Sequence, residues 1–279
     1  MQLRKDISAF SQEKFKENRT PFADSLKLHF YSFSEGTCHD DVTSCLEGLM
    51  LSLDMIDDIQ DDDNERSLWK KKGLSTSLNT AISLMTISQL HLLESTDRPE
   101  IVKTMLTCLS KSIEGQHQDL YGNIKSPEQY IEMIKMKSGS LIAMANMLGA
   151  MLADFKDHQI VEDYSYDLGV VAQINNDIQD VIKFEEKSDW RLKKKTLPIM
   201  YLLNPSIKEG EIVRDYYSGK VSFETVLSYK EKIIDLLKTS GALNYTVAQK
   251  ILYEQRALKK IERLPISDEK IKMIKDHLL

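Results

Sequence analysis

Six aspartates fall within the ten residues from Asp54 to Asp63, at the end of an apolar run from Leu46 to Ile56. At helical spacing Asp54, Asp57, Asp58 and Asp61 share one stripe, while Met55, Ile56 and Ile59 lie mostly off it. Carboxylates three and four apart repel by roughly a few tenths of a kcal/mol per pair in water, and by more where water is scarce. Such a face calls for a cation. An acidic run is most often a solvated helix face, but the apolar approach argues against that here. Mg2+ binds through one or two carboxylates, keeps waters and takes its other ligands from substrate phosphates, so a diphosphate and Mg2+ site is the sharper expectation.

A second oxygen-rich stripe follows far along the chain. Gln173, Asn176, Asp177 and Asp180 stand at i, i+3, i+4 and i+7, with Ile174, Ile178 and Val181 on the other side. The neutral Asn176 lowers the charge without ending coordination. Two such oxygen-rich stripes on two core helices could close around one cluster of ions. Cations for a diphosphate stand nearby in sequence: Lys137 before Ser138, and Arg191, Lys193, Lys194 and Lys195 before Thr196-Leu197-Pro198. A basic cluster on a loop is usually only solvated, and its place beside the acidic helix is what sets this one apart. Within the polar patch from Glu114 to Asp119, hydrogen bonding in the core is the expected role of His117.

Helices must position these residues, since helical periodicity recurs almost throughout and no run alternates as a strand does. Prolines behind cap-like residues, as in Thr20-Pro21, Asp97-Arg98-Pro99 and Ser126-Pro127, punctuate the pattern. The spacing predicts helices over 3–18, 21–33, 40–64, 75–95, 98–120, 127–154, 158–186, 196–203, 207–217, 222–239, 242–263 and 267–277, an all-α bundle. No linker or shift in composition divides it, so one domain over 1–279 is expected. Gly139, Ser140, Ala143, Ala145, Gly149 and Ala150 permit close helix contacts or leave room for a ligand, and plain packing is the expected role.

Composition narrows the function classes. With 42% hydrophobic and 29% charged residues the chain is an ordinary soluble globular one, and its net charge of -6 offers no footprint for nucleic acid. Cys38, Cys45 and Cys108 form no CxxC pair, which fits a reducing cytoplasm rather than zinc or a disulfide framework. The N-terminal stretch lacks the uninterrupted apolar core of a secretory signal. The uncharged stretches Gly73 to Leu93 and Ser138 to Ala153 carry polar residues on several turns, and the second is short for a membrane span of about 20 residues. Both read as buried helices, and no transmembrane segment is expected.

The order of motifs resembles that of the trans-isoprenyl diphosphate synthases. A DDxxD helix (Asp57, Asp58, Asp61), Glu114-Gly115-Gln116 with Asp119, Lys137-Ser138 where the family has Lys-Thr, a QxxNDxxD helix (Gln173 to Asp180) and Lys194-Lys195-Thr196-Leu197-Pro198 come in sequence, spanning roughly 45 to 205. The resemblance implies an isoprenoid synthase fold, two Asp-rich helices facing across an apolar cavity, and an allylic prenyl diphosphate bound through Mg2+. It casts Asp57, Asp58, Asp61 and Asp177 as catalytic, Asp57, Asp58, Asp61, Asn176, Asp177 and Asp180 as metal ligands, and Arg66, Lys137, Gln173 and Lys194 as substrate-binding. A homodimer is the expected assembly.

The departures matter as much. Chain-extending synthases carry Gly-Lys-x-x-Arg-Pro upstream of the first Asp-rich helix to bind isopentenyl diphosphate, whereas residues 33–41 here read Phe-Ser-Glu-Gly-Thr-Cys-His-Asp-Asp. Arg-Arg-Gly after the first motif is replaced by Arg66-Ser67-Leu68-Trp69. These features, with Asp54 and the segments around 114–119 and 137–145, resemble the ComQ-type pheromone isoprenyltransferases of that family. That branch implies a tryptophan of a ComX-like quorum-sensing pre-peptide as acceptor, and leaves Trp69 a packing role. A short-chain synthase of farnesyl or geranylgeranyl type, a non-catalytic subunit of the same fold and a terpene cyclase remain as alternatives.

Overall fold

The computed structural model describes residues 2–17, 21–38, 40–62, 68–184 and 189–278. Among these, every regular element is a helix: α1 (Gln2–Glu17), α2 (Pro21–Phe33), α3 (Asp40–Asp61), α4 (Leu68–Lys72), α5 (Leu74–Ser95), α6 (Pro99–Tyr121), α7 (Pro127–Ile134), α8 (Ser140–Leu152), α9 (His158–Asp180), α10 (Leu197–Leu203), α11 (Glu211–Tyr217), α12 (Phe223–Ser228), α13 (Lys230–Thr239), α14 (Ala242–Ile261) and α15 (Asp268–Leu278). A π-turn, Lys135–Gly139, joins α7 to α8, and a short 3-10 turn precedes α11. The all-α expectation holds. The residues gather into two compact units, Met1–Leu109 with Leu141–Asp163 and Ile261–Leu279, and Ser110–Ser140 with Tyr164–Lys260.

Local chemistry explains the boundaries. Proline stands at the first position of α2, α6 and α7, where a missing N–H costs nothing. Ser126 caps α7 by accepting from the Gln129 N–H at 3.3 Å. Gly122 ends α6 at φ 66°, a left-handed conformation that a glycine adopts without strain. In the first unit Leu26, Leu46, Leu49, Leu92, Ile101 and Met144 form a fully buried core. In the second, Trp190, Phe184, Leu202 and Val213 form one core, and Tyr130, Ile134, Val170 and Ile174 another.

Several expected boundaries are corrected. The first Asp-rich helix ends at Asp61 rather than 64, because Asp62 turns to φ 51°; residues 63 and 64 lie outside those described. The second ends at Asp180 rather than running to 186, and Val181 and Ile182 form a turn. Expected helix 222–239 is broken at Tyr229, and α4 was not foreseen. Expected helix 127–154 is interrupted by the π-turn. There Ser112 donates to the Lys137 carbonyl at 2.9 Å, and the Ser140 N–H reaches back five residues to the Lys135 carbonyl. Gly115 of α6 lies so close that a Cβ there would overlap the backbone of Met136 and Lys137, and Gly169 of α9 lies against Gly139 in the same way. Small residues thus let α6 and α9 close on the π-turn. No described helix is long and apolar enough to cross a membrane.

Candidate active site

The last turns of α3 carry the first acidic group. Met55 is buried, Asp57 and Asp58 are half-buried, and Asp61 is only 8% exposed. Asp54, grouped with them by spacing, is exposed instead, because it starts the stripe on the solvent edge of the helix. Asp62 pairs with Lys70 at 3.1 Å. Trp69 packs with Phe10, Leu51 and Met55, and its buried indole N–H has no hydrogen-bond partner among the described residues. Its packing role is as expected. Arg66, the expected diphosphate ligand after the motif, lies outside the described residues.

The second acidic group sits in a hydrogen-bonded network of the other unit, built around the π-turn. Lys137 Nζ donates to Asp119 Oδ2 at 2.7 Å, and Lys194 Nζ lies 3.8 Å from the same oxygen and 3.5 Å from Asp189. Next to Lys137, Ser138 Oγ donates to Gln173 Oε1 at 2.7 Å, and Gln173 Nε2 donates to Asp177 Oδ1 at 3.0 Å. Tyr130 donates its hydroxyl to Asp177 Oδ2. Both oxygens of Asp177 are therefore oriented by the fold. The Lys194 loop is held by aromatic neighbours: Tyr217 donates to the Lys194 carbonyl at 2.8 Å, Tyr216 to the Trp190 carbonyl at 2.7 Å, and the Trp190 indole N–H to the Val181 carbonyl at 2.8 Å.

Burial dominates the electrostatics. It pushes the Asp177 carboxyl up to about 7, against the hydrogen bonds from Tyr130 and Gln173, with Asp189 and Asp119 adding to the rise. Burial also raises Asp189 above the usual carboxylate range, opposed by Lys194. The Tyr130 hydroxyl is held well above its ordinary value, first by burial and then by the neighbouring Asp177.

Sequence reasoning placed Gln173, Lys137, Lys194 and Asp177 correctly in one neighbourhood. Gln173, expected to bind substrate, bonds through both ends of its amide, to Ser138 and to Asp177. Asn176 is exposed, and Asp180 pairs with Lys183 at 2.9 Å. His117 is exposed too, stacked toward Tyr121 with centroids 6.3 Å apart, which corrects its expected core role. Tyr130 and Asp189 were missed. Tyr130 falls on the apolar stripe of α7 and reads as core, and Asp189 only as one more acid beside a basic loop.

Among the described residues no three His, Cys, Asp or Glu side chains converge into a ready-made metal cage. Mg2+ draws part of its shell from water and substrate phosphate and takes hard oxygens from the protein. The donors present are all of that hard type, and Asp177 already has its orientation fixed. Cys38, Cys45 and Cys108 are buried and form no disulfide, and burial raises the Cys45 thiol to about 11.

Comparison with known proteins bears on the same residues. A family model described as polyprenyl synthetase matches residues 4–234. A Bacillus subtilis (strain 168) protein named tryptophan prenyltransferase ComQ is 35% identical over 262 residues, covering 92% of this chain and 87% of its own. A namesake from Bacillus spizizenii is 31% identical over 80% of this chain and 79% of its own. Among solved structures, a polyprenyl synthase from Caulobacter crescentus CB15, complexed with calcium and isoprenyl diphosphate, superimposes with a TM-score of 0.86 at 18% identity over 97% of this chain and 87% of that one. These structural likenesses establish the shared fold.

Proposed function

We propose, since the chain belongs to the polyprenyl synthetase family and is a prenyltransferase, that it ionises an allylic prenyl diphosphate and transfers the prenyl group to a tryptophan of a ComX-like quorum-sensing pre-peptide. The observation that carries this reading is a contrast. Cations stand around Asp119, ready for one diphosphate, while residues 33–41 carry no lysine or arginine for a second, and two relatives at 35% and 31% identity over most of the chain are named for tryptophan.

The residues divide the work. Lys137 and Lys194 exchange the Asp119 carboxylate for diphosphate oxygens, charge-assisted bonds of about 1.5–3 kcal/mol each. Arg66 adds a further cation. Asp57, Asp58 and Asp61 of α3, and Asn176, Asp177 and Asp180 of α9, are the residues that would hold Mg2+. When bound, the metal neutralises charge on the leaving diphosphate. Tyr130 and the Ser138–Gln173 pair keep Asp177 in its rotamer, so no reorientation is needed at the moment of reaction. As the allylic C–O bond breaks, its electron pair leaves with diphosphate. Carbon 3 of the indole supplies the pair for the new C–C bond, ring closure by the peptide nitrogen follows, and the released proton goes to diphosphate.

A homodimer belongs to the same reading. It is supported by α5, which exposes Leu74, Leu78, Ile82, Leu90 and Leu93, an apolar stripe suited to a second copy. A cytoplasmic location is supported by the three buried cysteines, which remain thiols. Chain elongation is the rival, favoured by a 31% match over 54% of this chain to a protein named heptaprenyl diphosphate synthase component 2 of Bacillus subtilis (strain 168).

One assay separates the two. With farnesyl diphosphate and Mg2+, a pheromone peptide should gain the mass of one prenyl unit, and its tryptophan-to-phenylalanine version should not. Efficient extension of farnesyl diphosphate by isopentenyl diphosphate, with no peptide product, would move the assignment to the synthases.

A further inference from the structure

We propose that the groove between the end of α6 and the start of α7 seats the acceptor chain, and that it selects a peptide carrying lysine or arginine close to its tryptophan. This deepens the peptide-acceptor reading above and rests on it. The groove has a volume of about 580 Å³, within the range of built binding sites. One wall is aromatic, with His117 and Tyr121 stacked at 6.3 Å. Tyr121 is 76% exposed, more than any other large hydrophobic side chain described, and offers its ring face to a partner. The other wall carries Glu128 and Glu132, four residues apart on one face of α7 and both exposed.

Charge decides the occupant. Two carboxylates line the groove, and no lysine or arginine does. The neighbouring cations leave that balance in place. Lys135 reaches Glu132 at 2.7 Å, but Glu132 is 69% exposed, and such surface pairs contribute little and exchange readily. The Lys195 ammonium is turned to the carbonyls of Ile124 and Gly122, at 3.2 and 3.5 Å. A cationic side chain entering here meets two carboxylates and the face of Tyr121, which also attracts cations.

Position ties the groove to the chemistry. His117 and Gln118 directly precede Asp119, and Glu132 lies one turn before the π-turn that presents Lys137. A peptide lying against these turns is therefore held beside the lysines assigned to the diphosphate. A free diphosphate or another anion would be repelled from the same wall.

Fluorescence anisotropy with two labelled ten-residue peptides tests this. Each has one tryptophan; in one it is flanked three and four residues away by lysine, in the other by glutamate. The wild-type protein should bind the lysine peptide at least tenfold tighter, E128K/E132K should reverse that order, and Y121A should weaken the lysine peptide several-fold. All three positions are exposed, so circular dichroism should be unchanged, and E128Q/E132Q, which should erase the preference, guards against a charge-reversal artefact. Equal binding of both peptides, binding of neither, or an order unchanged in E128K/E132K would overturn the proposal. Mass spectrometry with farnesyl diphosphate and Mg2+ keeps the two readings apart. Charge-selective binding with no mass gain would retain the groove and remove the acceptor reading. A mass gain equal in wild type and E128K/E132K would do the opposite.

Discussion

Two pentads of nearly the same sequence, Asp57-Asp58-Ile59-Gln60-Asp61 and Asn176-Asp177-Ile178-Gln179-Asp180, each close a helix, yet the fold buries a different carboxylate in each. In α3 it is the last, Asp61, and in α9 the middle one, Asp177. Asp177 is taken from water because Tyr130 of α7 and Gln173 of its own helix supply donors to both its oxygens. Its counterpart Asp58 stays half-buried. Spacing decides which side chains share a face; the element packed against that face decides which of them loses water and becomes titratable near neutrality.

The largest expected effect tests whether the pentads are equivalent in chemistry despite that difference. D58A and D177A should each lower prenyl transfer by far more than the ~100-fold that loss of a supporting partner costs, measured as peptide mass gain, and EDTA should abolish transfer in the wild type. Turnover surviving D58A would show that the second pentad works alone.

Next come two pH dependences of opposite sign, one from each unit. The folded pKa of Asp177, about 7, lies above its ordinary 3.8, so in metal-free protein its contribution is full below pH 4 and is lost as pH rises through 7. His29 is wholly buried and donates Nδ1–H to the Ser25 carbonyl at 2.7 Å, and burial lowers it from 6.5 to about 4. Its contribution is full above 6.5 and is lost as pH falls through 4. Each is on the order of 3 kcal/mol. Urea midpoints in EDTA should therefore rise between pH 4 and 8 in D177N, where His29 acts unopposed, and fall in H29Q, where Asp177 does, while the wild type, in which the two oppose each other, should change less than either. Parallel profiles for D177N and wild type would break the contrast between the buried and half-buried carboxylates.

A smaller effect sharpens the cause. Y130F removes one donor to Asp177 and nothing from α3, so the Mg2+ concentration for half-maximal thermal stabilisation should rise ~10-fold. An unchanged midpoint would mean that Gln173 alone fixes the carboxylate. The smallest effect concerns the helix ends. Asp62 holds φ 51° just past α3, whereas α9 passes into Val181 with the Val181 N–H still bonded to the Asp177 carbonyl at 2.9 Å. D62G should therefore stabilise by up to about 1 kcal/mol, less the small worth of the exposed Lys70 pair, seen as a melting temperature about 2 °C higher. V181G should bring no such gain.

Much of this was legible in the chain. Apolar periodicity and the proline caps place α2, α3, α5, α6 and α14 closely, and the two pentads announce their chemistry by residue type. What spacing could not reveal is which neighbour arrives. Tyr130 is one apolar-face residue of α7 until α9 brings Asp177 to its hydroxyl, and His117 reads as core until α6 turns it outward. The π-turn has no proline or unusual φ to mark it; it depends on Ser112 of another helix capturing a carbonyl.

That π-turn also affects how this chain is compared with others. One residue more than an α-helical turn requires is fitted between α7 and α8, and in a regular helix one residue is a rotation of about 100°. A relative whose helix runs straight through this region would match the chain only with a single-residue gap between Lys135 and Gly139. An alignment forced through without the gap would pair the wrong residue with Lys137, exchanging the partner of Asp119 for Met136 or Ser138, and would report a substitution at the candidate site where only an insertion had occurred.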